Sequence, residues 1–287
     1  MEAFVPHSLE EALEVKASHP EAVPVAGGSD LMVDVNSGCT HPPALLDLSH
    51  IDELRTWRRD DGVVFVGAGT TFARIACELG EFTPLVQAAR SLGSPQIRSR
   101  ATIGGNLGTA SPAGDGIAVL AAYDAEIVAA AAGGGQRRVP WHEFLAGPKC
   151  TTLASDELIA GVEWRPVSGP GSFAKVGPRN AMVIAVTSVC LQLDPVGRSV
   201  RVALGSVGPT VLRARRAEAF AEAALAWDEP GATVPAAVVR EFGRLAAAEA
   251  RPIDDLRGSA AYRRLAVEVL SRRALTWALE DWRAKRC

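Results

Sequence analysis

Runs of apolar residues in this chain are short, change period often, and are separated by joints of glycine and small polar residues. Residues 8–19 carry a helical period, with Ser8 as N-cap and Glu11 three positions on to complete a capping box. Residues 22–26 predict a strand that runs straight into Gly27-Gly28-Ser29-Asp30, after which 31–35 resume apolar character. A buried strand at 44–48 and the segment 51–54 close a small β-α-β unit near residue 55. A second unit opens with a strand at 63–66, turns through Gly67-Ala68-Gly69-Thr70-Thr71 into a helix at 72–79, and adds a helix at 84–92. Then comes 100–115, a glycine-rich stretch with no large apolar side chain beyond Ile103 and Leu107. A short helix at 117–123, a strand at 125–131, a return strand at 137–139, a helical turn at 141–145 and an extended segment at 158–164 complete this half.

Residues 167–172, rich in Gly, Pro and Ser, are the best linker, and the pattern changes beyond them. Three strands are predicted at 173–176, 183–193 and 199–207, followed by helices at 214–226, 234–250 and 260–285. The last helix presents Leu265, Val269, Leu275 and Leu279 toward a sheet. The expected class is α+β. A first domain spans 1–167, with subdomains 1–55 and 56–167, and a small C-terminal α+β domain with a three-stranded sheet spans 168–287.

Composition narrows function more than fold. A chain of 287 residues with 48% apolar and 22% charged residues can bury a sizeable core. The net charge of −3, with no polybasic block, gives no electrostatic reason to expect nucleic acid. The longest apolar run, 181–193, is broken by Thr187, Ser188 and Gln192 and is too short for a membrane span. The N-terminus has neither the basic nor the apolar region of a signal peptide, so a cytoplasmic location is expected. The five cysteines contain no Cys-x-x-Cys, and the five histidines have no ligand spacing, which argues against a metal or iron–sulfur cluster bound by this chain alone.

Three glycine-rich joints remain as candidates for chemistry. Gly67-Ala68-Gly69 imitates the start of a dinucleotide fold, but Phe72 stands where a small residue must allow close packing, and Arg90, Ser91 and Leu92 occupy the region of the required acid. A tight turn feeding a helix is the better account. The other two, Ala26-Gly27-Gly28-Ser29-Asp30 and Thr102-Ile103-Gly104-Gly105-Asn106, could close on a pyrophosphate from either side. Glycine backbone N–H groups would be the donors there, with hydroxyls from Ser29, Thr102, Thr109 and Ser111. A P-loop and a nucleophile elbow are both absent, so any chemistry must be carried by a bound cofactor.

These joints also carry a resemblance. The run Ala26-Gly27-Gly28-Ser29-Asp30-Leu31, then Gln96-Ile97-Arg98 before Thr102-Ile103-Gly104-Gly105-Asn106-Leu107, then Ser111-Pro112-Ala113-Gly114-Asp115 resemble the FAD-binding medium subunits of molybdenum hydroxylases. That family includes xanthine dehydrogenase and aerobic carbon monoxide dehydrogenase. The likeness continues through Lys175-Val176-Gly177-Pro178-Arg179-Asn180-Ala181, 203–210 and 253–259, so it covers essentially the whole chain in order.

The resemblance implies a two-subdomain FAD-binding fold of the vanillyl-alcohol-oxidase type followed by a small C-terminal domain. It implies noncovalent FAD, held by Val25, Ala26, Gly27, Gly28, Ser29, Asp30, Leu31 and Met32 on one loop and Thr102, Ile103, Gly104, Gly105 and Asn106 on the other. Ser111 joins them. Asp115 would contact the ribityl–adenine side, Ile159 would set a backbone contact on the flavin ring, and Lys175 would stand near the isoalloxazine. Asp115 alternatively suits an N-cap for the helix near 117, and Lys175 a solvated strand end. Three departures stand out: Ser29 where Thr or His is common, Gly108-Thr109 where Cys-Asn is frequent, and Pro178 within an often basic run. The implied partners are a large molybdopterin subunit and a small iron–sulfur subunit in a dimer of heterotrimers, with an external acceptor such as NAD or a quinone. Molybdopterin and the clusters would reside only in those partners. A self-contained FAD oxidoreductase of the same fold, or a cofactor-free scaffold, are the competing readings at this stage.

Overall fold

The computed structural model describes residues 2–229 and 233–284. Two compact units form: one comprises Met1–Glu78, Gly93–Ser111 and Asp124–Arg165, the other Leu79–Leu92, Pro112–Tyr123 and Pro166–Cys287. Two helical segments from the first half of the sequence therefore belong to the second unit.

In chain order the first unit opens with β1 (Glu2–Phe4), α1 (Leu9–Ser18), β2 (Ala22–Val25), α2 (Leu31–Asn36) and β3 (Ala44–Asp47). Ser8 caps α1 as the sequence predicts, its hydroxyl accepting the Glu11 N–H at 3.1 Å, while the Glu11 carboxylate reaches back to the N–H of His7. The three strands pair in parallel in the order β1-β3-β2. The chain continues with β4 (Trp57–Asp60), β5 (Val63–Gly67), α3 (Phe72–Glu78), α4 (Thr83–Ser91), α5 (Pro95–Arg100), α6 (Ile103–Thr109) and α7 (Asp115–Ala122), of which α4 and α7 belong to the second unit. Next are β6 (Glu126–Ala130), β7 (Gln136–Pro140), α8 (Trp141–Phe144), β8 (Leu145–Gly147), β9 (Cys150–Thr151) and β10 (Leu158–Trp164). An antiparallel sheet of order β4-β5-β10-β6-β7 forms the body of the first unit.

Helix α6 departs from the expected loop. It contains Gly104, Gly105 and Gly108, each costing about 1 kcal/mol relative to alanine inside a helix. Propensity therefore cannot be its source. Thr102 caps it, its hydroxyl oxygen accepting the Gly105 N–H at 3.0 Å, and tertiary bonds described below hold the first turn.

The second unit adds β11 (Gly171–Val176), β12 (Thr187–Asp194), β13 (Ser199–Gly205), β14 (Leu212–Arg213), α9 (Arg215–Ala224), α10 (Ala236–Glu249) and α11 (Ala260–Ala284). The three expected strands form, and the short β14 joins them in the order β11-β12-β13-β14. Val189, Leu191 and Leu193 with Val200, Val202 and Leu204 make one face of this sheet, packed on α9, α10 and α11. The alternate residues Cys190, Gln192 and Ala203 are buried too, because α7 packs against β12 and β13. Burial on both faces explains why 189–191 is apolar without alternation, and Thr187, Ser188 and Gln192, the polar residues of this strand, are buried as well.

In the C-terminal half of α11 the predicted Leu275 and Leu279 are buried, but toward its start Leu265 is 58% exposed and Arg263, Val267, Leu270, Ser271 and Ala274 face inward instead. A polar Arg263 and Ser271 on the inner face disguised this stripe. Lys285, at the predicted end of this helix, lies outside the described residues. No helix among the described residues is long and apolar enough to cross a membrane.

Candidate cofactor-binding site

Within the first unit the two predicted loops meet. A Cβ on Gly27 would run into the carbonyl of Arg100 and lie 3.0 Å from the Ala101 nitrogen, so this position accepts only glycine. Gly28 then takes a φ of +68°, which reverses the chain at the end of β2. The reversal is tied by Met32 N–H to the Gly28 carbonyl at 3.1 Å, and by Val33 and Asp34 N–H to the Asp30 carbonyl. Among the described residues, the N–H groups of Gly27, Gly28, Ser29, Asp30 and Leu31 find no acceptor. Five consecutive unpaired donors on half-exposed backbone make an anion-binding concavity.

The second loop behaves differently from the expectation that its backbone would also donate. The Ile103 N–H goes to the Thr70 carbonyl at 3.0 Å, Gly104 to Ala68 at 2.8 Å, Gly105 to the Thr102 hydroxyl oxygen, and Asn106 to the Thr102 carbonyl. All four donors are consumed inside the protein. Gly104 is glycine for packing, since a Cβ there would sit 2.5 Å from the Ala68 Cβ. Thus Gly67-Ala68-Gly69, a tight turn as the sequence suggests, is the anvil on which α6 is set.

What the second loop offers is an open floor. Gly105 is exposed, and a Cβ there would approach only the Thr102 hydroxyl at 3.0 Å. At Gly108 it would meet only Ile159 Cδ1, at 3.7 Å, which places Ile159 beside this floor. The Asn106 side-chain oxygen is buried without a partner, an acceptor left over by the fold itself. Thr109 donates to Asp30 at 3.4 Å, linking the loops by side chains as well.

The sequence reading missed Lys149. Its ammonium lies 3.2 Å from Asp34, one turn into α2, and its N–H bonds the Ala110 carbonyl at the end of α6 at 3.1 Å. The Asp34 hydrogen bond and the charge of Asp30 raise this lysine above its ordinary range. No local signal marks it, because its partner is 115 positions away. Ser111 ends the segment Gly93–Ser111 of the first unit.

Asp115 and Lys175 belong to the second unit, and there they are one ion pair rather than two separate groups. The Lys175 ammonium donates to Asp115 Oδ2 at 2.5 Å and to the Val183 carbonyl at 3.3 Å. Their side chains are only 10% and 6% exposed, so Lys175 is no solvated strand end. Asp115 is the first helical residue of α7, with Gly114 as the cap. Burial raises its carboxyl above the ordinary aspartate range, against the opposing pull of Lys175. Asp115 Oδ1 is buried with no partner, and an ammonium has three donors, of which two are used. The pair thus keeps one acceptor and one donor that no described residue engages.

The residues of the first unit fit a dinucleotide cofactor: an anion nest, a floor without side chains, and the unpartnered Asn106 oxygen. Residues 1–164 match the family described as FAD binding domain in molybdopterin dehydrogenase, and 172–278 match the CO dehydrogenase flavoprotein C-terminal domain. The medium chain of glyceraldehyde dehydrogenase from Sulfolobus acidocaldarius is 29% identical over 273 residues, covering 93% of this chain and 94% of its own. The FAD subunit of nicotinate dehydrogenase from Eubacterium barkeri is 30% identical over 208 residues, 68% of this chain and 70% of its own. A solved structure of carbon monoxide dehydrogenase from Hydrogenophaga pseudoflava, lacking the Mo-pyranopterin moiety of the molybdenum cofactor, matches with a TM-score of 0.86 at 28% identity. That match covers 97% of this chain and 96% of the other.

Proposed function

Since the chain belongs to the FAD-binding medium subunits of the molybdenum hydroxylases, we propose that it collects electrons from a small iron–sulfur subunit and passes them to an external acceptor. The large molybdopterin subunit would oxidise the substrate, with the three subunits assembled as a dimer of heterotrimers in the cytoplasm. The acceptor is NAD, a quinone or another two-electron oxidant. Relatives named as a medium chain and as an FAD subunit support this division of labour. Cys39, Cys77, Cys150 and Cys190 are unpaired, which suits a reducing compartment.

The observation that carries the binding reading is the row of unpaired N–H groups from Gly27 to Leu31, in the same unit as a floor free of side chains at Gly105 and Gly108. Val25 and Ala26 deliver the chain into this row, and Leu31 and Met32 turn it back. The row holds the pyrophosphate by hydrogen bonds, with the Ser29 hydroxyl as an added donor. Thr102, Ile103, Gly104, Gly105 and Asn106 admit the cofactor closely, Asn106 accepting one hydrogen bond, and Ser111 adds a hydroxyl. Ile159 lies under the ring end of the floor. Asp115 and Lys175 supply an acceptor and a cation suited to the polar edge of a flavin.

FAD, when bound, takes up electrons singly and releases them in pairs, which is chemistry no side chain here provides. The chain's own residues orient the cofactor, and Lys175 favours added negative charge on it. Titrating the purified, flavin-free protein with FAD tests this reading. A stoichiometric yellow complex, released intact by denaturation, is expected; folded protein that stays colourless at excess FAD would refute it.

A further inference from the structure

Lys175 draws both of its acceptors from segments that are bonded to one common residue. The Asp115 carboxylate follows Pro112 by three positions, and the Val183 carbonyl precedes Ala185 by two. Ser206 holds both segments: its N–H bonds the Pro112 carbonyl at 2.8 Å and its hydroxyl bonds the Ala185 carbonyl at 3.0 Å. Ser206 does this from a left-handed backbone, φ +62°, that a residue with a Cβ adopts only at a cost. Arg263, 4% exposed on the inner face of α11, secures that conformation from behind. Its guanidinium donates to the Ser206 carbonyl at 2.5 Å and to Asp255 at 2.6 Å. Asp255 in turn accepts the Arg257 N–H at 2.8 Å and the Gly258 N–H at 3.2 Å, which fixes its carboxylate in place. A buried guanidinium is expensive unless its partners are rigid, and here they are backbone and a pinned carboxylate.

We infer that Arg263 is a positioning residue for Lys175, acting through Ser206 to hold the Asp115 and Val183 acceptors at the spacing that aims the lysine's remaining N–H. This rests on the proposed flavin role of Lys175. Arg263 meets its two acceptors with different nitrogens, Nη1 on the carbonyl and Nη2 on the carboxylate, a planar fork that the single nitrogen of a lysine does not reproduce.

The experiment uses the FAD-loaded chain and reads three quantities: the FAD dissociation constant, the flavin midpoint potential, and the thermal midpoint. Lys175→Gln sets the scale, weakening FAD roughly tenfold by loss of one charged hydrogen bond and lowering the potential. Arg263→Lys should weaken FAD by about threefold and move the potential the same way, less far. Ser206→Ala, which removes only the hydroxyl arm, gives a smaller displacement of the same sign and covers the case in which the arginine variant does not fold. The decisive comparison repeats both changes on Lys175→Gln. No further change in potential or affinity supports the inference, because a positioning residue has nothing left to position. Equal shifts in both backgrounds, or a fall in thermal midpoint with an unmoved potential, overturn it. Should Lys175→Gln alone leave affinity and potential unchanged, the flavin role of Lys175 falls, and that outcome is distinguishable from failure of the Arg263 strut.

Discussion

The two glycine-rich loops of the first unit look alike in composition and do opposite things with their backbone. From Gly27 to Leu31 the N–H groups have no internal acceptor, and the glycines are there to let the chain pass Arg100 and reverse at φ +68°. From Ile103 to Asn106 every N–H is paired, three of the four with Ala68, Thr70 and the Thr102 hydroxyl. One loop is a donor array, the other a wall. The difference follows from where the surrounding backbone ends. The turn 67–70 puts two carbonyls beside the start of α6, whereas no carbonyl among the described residues accepts from the N–H groups of Gly27 to Leu31 that follow β2. A binding site needs both kinds, since a donor array without a side-chain-free wall cannot admit a flat, extended cofactor. Glycine content by itself does not say which kind a loop is.

The contrast can be broken deliberately. Gly104→Val drives a branched side chain into Ala68, where Cβ alone would be 2.5 Å from a neighbour. The expected loss is about 3 kcal/mol or more, seen as a large fall in thermal midpoint with or without FAD. Gly105→Val, one position on, meets only the Thr102 hydroxyl at 3.0 Å. Its stability should stay within about 0.5 kcal/mol of the parent, while FAD affinity falls by about a hundredfold or more by equilibrium fluorescence, near 2.7 kcal/mol. If both glycines behaved alike, the division into packing glycine and floor glycine would be wrong. Thr102→Ala removes the cap of α6 and should cost about 1 kcal/mol in denaturant unfolding, with FAD binding weakened only as the wall loosens. Ser29→Ala is the mildest change. It leaves the five backbone donors of the first loop in place, so FAD affinity should drop by about threefold with unfolding unaltered. A loss at Ser29 as large as that at Gly105 would mean that the hydroxyl, not the backbone, holds the anion.

Much of this was legible from residue order. The strand-to-glycine joints at 26 and 67, the capped helix after Ser8 and the helix-rich C-terminal segment all follow from local period and breakers. The family resemblance pointed to both loops, Asp115, Ile159 and Lys175. Less legible were features whose cause lies far along the chain. A helix with three glycines reads as a loop until Ala68 and Thr70 stand beside it. Leu265 reads as core until Arg263 takes the inward position. Lys149 has no mark of function until Asp34 comes to 3.2 Å.

By itself, then, the sequence determined which segments could be strands or helices and which stretches were free of side chains, because those depend on spacing and volume along the backbone. It also carried the ordered set of motifs that identifies the family. Only the tertiary structure decided which of two similar loops keeps its donors free, that Asp115 and Lys175 are one buried pair, and that Ser206 and Arg263 stand behind them. Hydrogen bonds are spent between groups that the fold brings together, and their pairing is a property of distance in space, not of position in the chain.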